Sequence, residues 1–269
     1  MTNKRILFIN QEINPYLPAG PVSSFGKNVT VGMQGKGFEV RTFMPKFGNV
    51  NERRNQLHEV IRLSGMNIII DDNDHPLIIK VASLQPSRIQ VYFIDNDDYF
   101  QKLDSDEDSV GSNRADNDER AIFYARGSME TAKKLRWDPK IISVAGWISA
   151  LVPMYIKKMY SDDTSFKGAK VVYTVVPGKV SAPIDERIFA KLKEDGFTAR
   201  DTKKFQGLPL DTNLLHRMAI DYSHAIIVQD AEVDPELLEY IKSTGKPLLL
   251  PEQIEAGGND AYAEFYNSL

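Results

Sequence analysis

An acidic run at residues 104–108 has the side chains that could bind calcium. A helix–loop–helix calcium site spaces its ligands over about twelve residues, with glycine at the sixth position and glutamate at the twelfth. Here Ser109 stands at the sixth position and Ala115 at the twelfth. The segment 104–119, rich in Asp, Glu, Ser and Asn, therefore predicts an exposed, solvated loop, and we expect no bound metal.

Two other patterns could carry chemistry, a glycine–lysine pair and the histidines. Residues 243–246 resemble the end of a phosphate-binding loop, but the earlier glycine is absent and Pro247 replaces its serine or threonine. Gly245 instead predicts the end of a helix before a strand. The histidines lack metal-ligand spacing, which favours structural roles for all four of them: His58, His75, His216 and His224.

The composition is that of an ordinary globular protein. The chain has 269 residues, 42% hydrophobic and 26% charged, enough for one sizeable core. It contains no cysteine and no Gly-x-Ser-x-Gly elbow, so neither a cysteine nucleophile nor a serine hydrolase of that kind is predicted. The net charge of −4 favours neither nucleic acid nor an anionic membrane as a partner.

The apolar run from Ile6 to Ile9 stops at Asn10, whereas a secretory segment needs about 7–15 apolar residues. No stretch approaches the about 20 apolar residues of a membrane span. We therefore expect a cytoplasmic protein without a membrane partner, and no pattern in the chain predicts a cofactor.

The order of predicted elements indicates the fold class. The run 6–9 predicts a buried parallel strand, followed by a helix from about Ser23, capped by Ser23 or Ser24, and a second strand at 38–44. Runs rich in β-branched residues at 58–63, 66–70, 77–82 and 89–94 predict an antiparallel meander around 58–94.

After residue 116, strands and helices alternate. Asp116 and Glu119 have the spacing of a capping box that would open a long helix. Further strands are expected at 140–144, 170–175, 224–228 and 247–250, and further helices at 147–160, 184–194, 211–221, 234–243 and 255–267. The whole pattern predicts one α/β domain over 1–269, with a doubly wound, mainly parallel, Rossmann-like sheet and the meander inserted in it.

Five stretches, in order and over nearly the whole chain, resemble the N-terminal domain of bacterial glycogen and starch synthases, glycosyltransferase family 5. They are residues 4–9 with Glu12 and Pro15, residues 41–48, residues 91–96 with Tyr99 and Phe100, the pair Asp116–Asn117, and residues 147–153. The resemblance implies the first half of a two-domain GT-B fold, in which the second domain supplies most of the nucleotide-sugar site.

The family's chemistry positions differ in this chain. The family's Lys-Thr-Gly-Gly-Leu loop, which meets the donor phosphates, corresponds to residues 18–22, where proline removes a backbone donor. Of the family's His-Ala-His-Asp-Trp-His core, only the tryptophan, Trp147, remains. The family's Thr-Val/Ile-His-Asn motif corresponds to residues 174–177, which lack the histidine. We therefore predict no catalytic residue and expect that the domain cannot catalyse alone.

Five residues match family positions near the cleft or its support, and the resemblance implies that they contact an α-glucan. These candidates are Glu12, Asp95, Asp116, Asn117 and Trp147. The alternative is that they are retained for loops, caps and packing.

Three functions follow from the resemblance. The leading hypothesis is a retired transferase domain that binds α-glucan or a protein partner. The second is one half of an ADP-glucose-dependent α-1,4-glucosyltransferase, completed by a separate nucleotide-binding domain. The third is a structural or regulatory subunit without sugar binding. Because the cleft face would be uncovered, we also expect a homo-oligomer.

Overall fold

A computed structural model describes residues 4–103 and 108–269, and it places ten strands of this part of the chain in one mixed sheet. The strands are β1 Arg5–Asn10, β2 Glu39–Pro45, β3 His58–Glu59, β4 Met66–Ile70, β5 Asn73–Leu84, β6 Ile89–Asp95, β7 Ile141–Ala145, β8 Lys170–Val175, β9 Ala225–Val228 and β10 Leu248–Leu249. The helices are α1 Pro21–Gly35, α2 Asn117–Leu135, α3 Val152–Met159, α4 Ile188–Glu194, α5 Ala199–Thr202, α6 Thr212–Tyr222, α7 Pro235–Ser243, α8 Pro251–Gly257 and α9 Asn259–Ser268.

The strand order is β10-β9-β8-β7-β1-β2-β6-β5-β3, and β4 pairs with β5. All pairs from β10 to β6 are parallel, whereas β5 is antiparallel to β6 and to both β3 and β4. The predicted doubly wound sheet with an antiparallel insertion is thereby confirmed. Its order reverses between β1 and β7, which is where such sheets form a crevice at the carboxyl ends of their strands.

The apolar strands explain the burial of the sheet. All four residues from Ile6 to Ile9 are buried, because helices cover both faces of the sheet at β1. On one face, the ring of Tyr266 in α9 packs against Phe8, and its hydroxyl is 2.8 Å from Ser143 Oγ of β7. None of the described helices is both long and apolar enough to cross a membrane.

The start of α1 differs from the prediction. The helix begins at Pro21, with Gly20 at the N-cap position, and Ser23 lies inside the first turn. Ser23 Oγ accepts a hydrogen bond from Gly20 N at 3.0 Å and donates to Pro18 O at 2.6 Å. The predicted cap at Ser23 or Ser24 is therefore wrong, because the fixed φ of proline starts the helix earlier.

The capping box predicted at the start of α2 is also wrong. Asp116 stands at the N-cap position, but its carboxylate binds Arg114 rather than a backbone N–H. Glu119 accepts a hydrogen bond from Tyr99 and pairs with Lys191. The charged side chains of Arg114 and Lys191 form stronger hydrogen bonds with these two carboxylates than a neutral backbone N–H does.

Three other predicted elements differ from the structure. The run 58–63 forms a strand of only two residues. The helix predicted at 147–160 opens with a 3₁₀ turn, Trp147–Ser149, and its α-helical part begins at Val152. The helix predicted at 255–267 is broken into α8 and α9, because Gly258 has a φ of +52°. The prediction that Gly245 ends a helix is confirmed, since it follows α7 with a φ of +64°.

Candidate functional site

The carboxyl ends of the central strands β1, β7 and β8 meet at the point where the strand order reverses. β1 is followed by Gln11 and Glu12, β7 by Gly146, and β8 by a loop that contains Gly178. We call these four residues the cleft edge. Gln11 N donates to Ala145 O at 3.1 Å, which continues the strand pairing of β1 into the cleft edge.

Gln11 and Gly146 are packed so closely that no side chain fits at position 146. A Cβ on Gly146 would lie 2.6 Å from both Cβ and Oε1 of Gln11. Gly146 also has a φ of +92°, which favours glycine. Gln11 is only 2% exposed, so its side chain occupies the floor of the crevice with an uncharged amide.

Glu12 provides a titratable group beside this floor. Gln11 Nε2 donates to Glu12 Oε1 at 3.0 Å. Burial raises the pKa of the Glu12 carboxyl, and the negative charge of Asp108 raises it further. A perturbed carboxyl group in a crevice is a common feature of functional sites.

Several buried polar atoms near the ends of β1, β8 and β9 have no hydrogen-bond partner within residues 4–103 and 108–269. They are Asn10 Oδ1, Gln11 Oε1, Thr174 Oγ1 and Gln229 Oε1. Three of these four are carbonyl oxygens of side-chain amides, which can only accept. Each of these atoms is enclosed by the surrounding protein, so together they form a polar interior beneath the crevice.

The start of α1 lies in the loop after β1 and is a poor phosphate site. Its first residue is Pro21, which has no N–H, and the N–H of Gly20 is already bound to Ser23. Its first turn, residues 21–23, contains no basic residue. A cation lies instead in the loop after β8, where Lys179 is exposed next to Gly178.

Asp95 lies inside the fold rather than in the crevice. Its exposure is 1%, and it pairs with Lys80 at 2.9 Å and accepts from Gln101 Nε2 at 2.6 Å. Lys80 also binds Glu52, so Asp95 belongs to a network of charges at the end of β6. In this conformation its carboxylate has no free access to a sugar.

Asp116 and Asn117 hold the loop that leads into α2. Asp116 is half-buried against Arg114, with Nε–Oδ1 and Nη2–Oδ2 distances of 2.8 and 2.5 Å. Asn117 is fully buried, donates to Ser112 O and accepts from Arg120.

Residues 104–107 of the predicted acidic loop lie outside the described residues. The last residue of the acidic run, Asp108, accepts a hydrogen bond from the hydroxyl of Ser112.

That loop is joined to the segment after β8. Ser181 N donates to Ser112 O at 2.8 Å, and the two serine hydroxyls are 2.8 Å apart. The carboxylate of Asp108 is close enough to Glu12 to raise its pKa. The loop of residues 108–116 is thus joined to the loop after β8, and the charge of Asp108 in the first loop acts on Glu12.

Trp147 is 1% exposed and lies in the 3₁₀ turn directly after Gly146. Its ring is packed in the core and presents no face for stacking on a sugar. Of the five sugar-binding candidates, Glu12 lies at the cleft edge and Asp116 is part-exposed, while Asp95, Asn117 and Trp147 are buried.

Sequence reasoning missed the support beneath Gly146. Tyr173 Oη lies 3.3 Å from Gly146 O, to which it donates, and 2.7 Å from His216 Nδ1. Burial lowers the pKa of His216 to about 4, so this ring is neutral at pH 7. The pairing of β7 with β8 and the packing of α6 against β8 bring these residues together, and no local pattern marks them. No group of three His, Cys, Asp or Glu in the described parts of the chain is arranged to hold a metal.

Comparison with known proteins places these features in a family. Residues 5–246 match the starch synthase catalytic domain family, glycosyltransferase family 5. A glycogen synthase of Chlorobium luteolum is 32% identical over 191 residues, which are 71% of this chain and 39% of that protein. A glycogen synthase of Chlorobaculum tepidum is 35% identical over 174 residues, 64% of this chain and 36% of that protein.

The fold comparison agrees with the sequence comparison. The catalytic domain of Starch Synthase IV from Arabidopsis thaliana, solved bound to ADP and acarbose, superposes with a TM-score of 0.71 at 16% identity. The match covers 93% of this chain and 51% of that one. The chain thus spans about two fifths of the length of the curated relatives it matches. The match over residues 5–246 shows that the chain belongs to the starch synthase catalytic domain family of glycosyltransferases.

Proposed function

We propose that this glycogen- and starch-synthase-like domain binds a neutral α-glucan at its cleft edge and does not transfer glucose on its own. The observation that carries the proposal is the uncharged amide of Gln11 on the floor of the crevice, hydrogen-bonded to the carboxyl group of Glu12 at the cleft edge. A surface of this kind suits a ligand with many hydroxyl donors.

The same surface opposes binding of a sugar nucleotide. Transfer from such a donor requires cations or oriented N–H groups where the diphosphate gains negative charge. At the cleft edge the corresponding groups are the carboxylate of Glu12, the amide of Gln11 and a helix that starts with Pro21, and Lys179 is exposed in the adjoining loop. A diphosphate directly beside Glu12 would be repelled by its carboxylate.

Gly146 gives a further reason to propose a loss of transfer activity. The family's motif has an aspartate at this position, and Gln11 occupies the space that any side chain there would need. Restoring an acidic or basic group at position 146 therefore requires Gln11 to change as well.

Calorimetric titration of the purified chain with maltoheptaose, and separately with ADP and ADP-glucose, tests the proposal. We expect heat from maltoheptaose alone, and weaker binding in Gln11→Ala and Glu12→Gln. Gln34→Ala, an exposed glutamine on α1, is the matched control and should bind as wild type does. Glucose transfer from ADP-glucose by the chain alone would contradict the proposal.

A second candidate function is one half of a split ADP-glucose-dependent glucosyltransferase. The match of residues 5–246 to the starch synthase catalytic domain family supports it. Mixing the chain with a separately expressed nucleotide-binding domain of a relative should then produce transfer of glucose.

If maltoheptaose, ADP and ADP-glucose all fail to bind, a structural or regulatory role without sugar binding is favoured. In that case a protein partner or a second copy of the chain would cover the cleft face. Light scattering across concentrations distinguishes a homo-oligomer from a monomer.

A further inference from the structure

A second concave surface lies at the opposite end of the sheet from the cleft edge. Lys170 begins β8, and His224 directly precedes β9, so both residues lie at the amino-terminal edge of the sheet. A pocket of about 280 Å³ opens there. Lys157 and Ser161 add polar groups to its lining, and its apolar wall includes Ile156 and Phe166.

The ring of His224 offers a hydrogen-bond donor at this pocket. His224 Nδ1 accepts a hydrogen bond from Val171 N at 3.0 Å. A ring nitrogen that accepts carries no proton, so the neutral ring has its proton on Nε2. Nε2 has no hydrogen-bond partner among the residues that the structure describes. The backbone of β8 therefore fixes the ring in the tautomer that donates at the pocket.

Two lysines beside this ring have no acidic partner. Lys157 and Lys170 are exposed, and neither forms an ion pair with a described residue. A third cation, Lys246, is held nearby because its Nζ donates to the carbonyl oxygens of residues 220, 221 and 223 at 2.5 to 2.7 Å. The carboxylate of Asp221, on α6, pairs instead with Lys204.

The cations around the pocket repel one another. Burial lowers the pKa of His224, and the charges of Lys157, Lys170 and Lys246 lower it further. Burial also lowers the pKa of Lys246 to about 8, helped by Lys157 and Lys204 and opposed by Asp221. In a chain with a net charge of −4, this is a local excess of positive charge. An anion in the pocket would relieve the repulsion.

We propose that this pocket, lined by Lys157, Ser161, Lys170 and His224, binds the phosphoryl group of a small phosphorylated compound. Its oxygens accept from the two ammonium groups and from Nε2 of the ring, which are charge-assisted or N–H donors of the kind that hold phosphate. The apolar wall of Ile156 and Phe166 contacts the organic part. The site is separate from the cleft edge and does not depend on the proposed glucan binding.

Nuclear magnetic resonance of the His224 ring tests the site directly. The ring is titrated between pH 5 and 8 in sodium phosphate and in sodium chloride of equal ionic strength. We expect phosphate to raise the pKa of His224 by about half a unit or more, because a bound anion favours the charged ring. An equal pKa of His224 in phosphate and in chloride would overturn the proposal.

Charge-removal variants locate the anion. Lys157→Ala and Lys170→Ala should each weaken phosphate binding by about threefold to tenfold, as expected for loss of a charge-assisted contact. Arg53→Ala removes an exposed charge at the other end of the sheet and is the matched control. Equal effects of all three variants would show general attraction to a charged surface and would overturn the site.

The source of the phosphoryl group is separated by comparing inorganic phosphate with glycerol 3-phosphate and glucose 1-phosphate. Tighter binding of a phosphomonoester than of inorganic phosphate supports the contact with the apolar wall. Equal or weaker binding of both esters overturns that part of the proposal and assigns the pocket to the free ion.

Discussion

The contact between Gln11 and Gly146 makes Gly146→Ala a costly substitution. The added Cβ would lie 2.6 Å from Gln11 Cβ, and the backbone, with φ of +92° and ψ of 162°, is in a region that nearly only glycine adopts. The backbone strain costs about 1–3 kcal/mol, and overpacking against Gln11 costs about 1–3 kcal/mol more. We therefore expect a loss of about 2–6 kcal/mol in the free energy of unfolding.

Urea unfolding followed by circular dichroism measures this loss, and Gly245→Ala separates its two parts. Gly245 also has a positive φ, +64°, but no atom lies within 4 Å of a Cβ added there. Gly245→Ala should therefore cost only the backbone strain, about 1–2 kcal/mol. Adding Gln11→Gly to Gly146→Ala should recover the overpacking part. If Gly146→Ala costs no more than Gly245→Ala, or if Gln11→Gly recovers nothing, the argument that Gln11 fills the space at position 146 is refuted.

Three further predictions concern charged and titratable groups. Lys191 is buried, and its ammonium group binds both Asp118 and Glu119 at 2.7 Å. Lys191→Met should therefore lower the free energy of unfolding, measured in urea, by about 3–5 kcal/mol. Lys193 is exposed, so Lys193→Met is the control and should be nearly neutral. His216 has a folded pKa of about 4, below its ordinary value of about 6.5, so the stability from its neutral ring is complete above pH 6.5 and is lost as the pH falls towards 4. Urea unfolding should show that wild type loses about 2 kcal/mol more than His216→Gln between pH 7 and pH 5, and an equal loss would contradict the assignment. The pKa of Glu12 is raised in the folded protein, so its charged form destabilises the fold once the pH rises above the ordinary pKa of a glutamate. Glu12→Gln should therefore raise the melting temperature at pH 7 and leave it nearly unchanged at pH 4. A melting temperature that rises at pH 4 and not at pH 7 would refute this sign.

The sequence was sufficient to predict the sheet and most of its order. A continuous apolar run such as Ile6 to Ile9 fits only a strand that is buried on both faces, and the alternation of strands and helices after residue 116 then requires parallel neighbours. The turn at Asp71 and Asp72, between β4 and β5, supports the antiparallel insertion through its two positive φ values.

The site was less predictable because its contacts join distant segments. Trp147 follows a strand, where an indole can either line a cleft or fill the core, and its burial depends on packing that no local pattern records. The position of Gln11 depends on a glycine 135 residues later, and Lys191 reaches Asp118 across 73 residues. Side-chain roles of this kind follow from the three-dimensional arrangement and not from spacing along the chain.

Calorimetric titration with maltoheptaose and with ADP-glucose, in parallel, tests the central claim most directly. The uncharged amide of Gln11 beside Glu12 and the proline at the start of α1 predict saturable binding of maltoheptaose and no binding of ADP-glucose. Binding of ADP-glucose with no response to maltoheptaose would contradict the account, because it would place a nucleotide diphosphate where the structure offers carboxylate and amide oxygens.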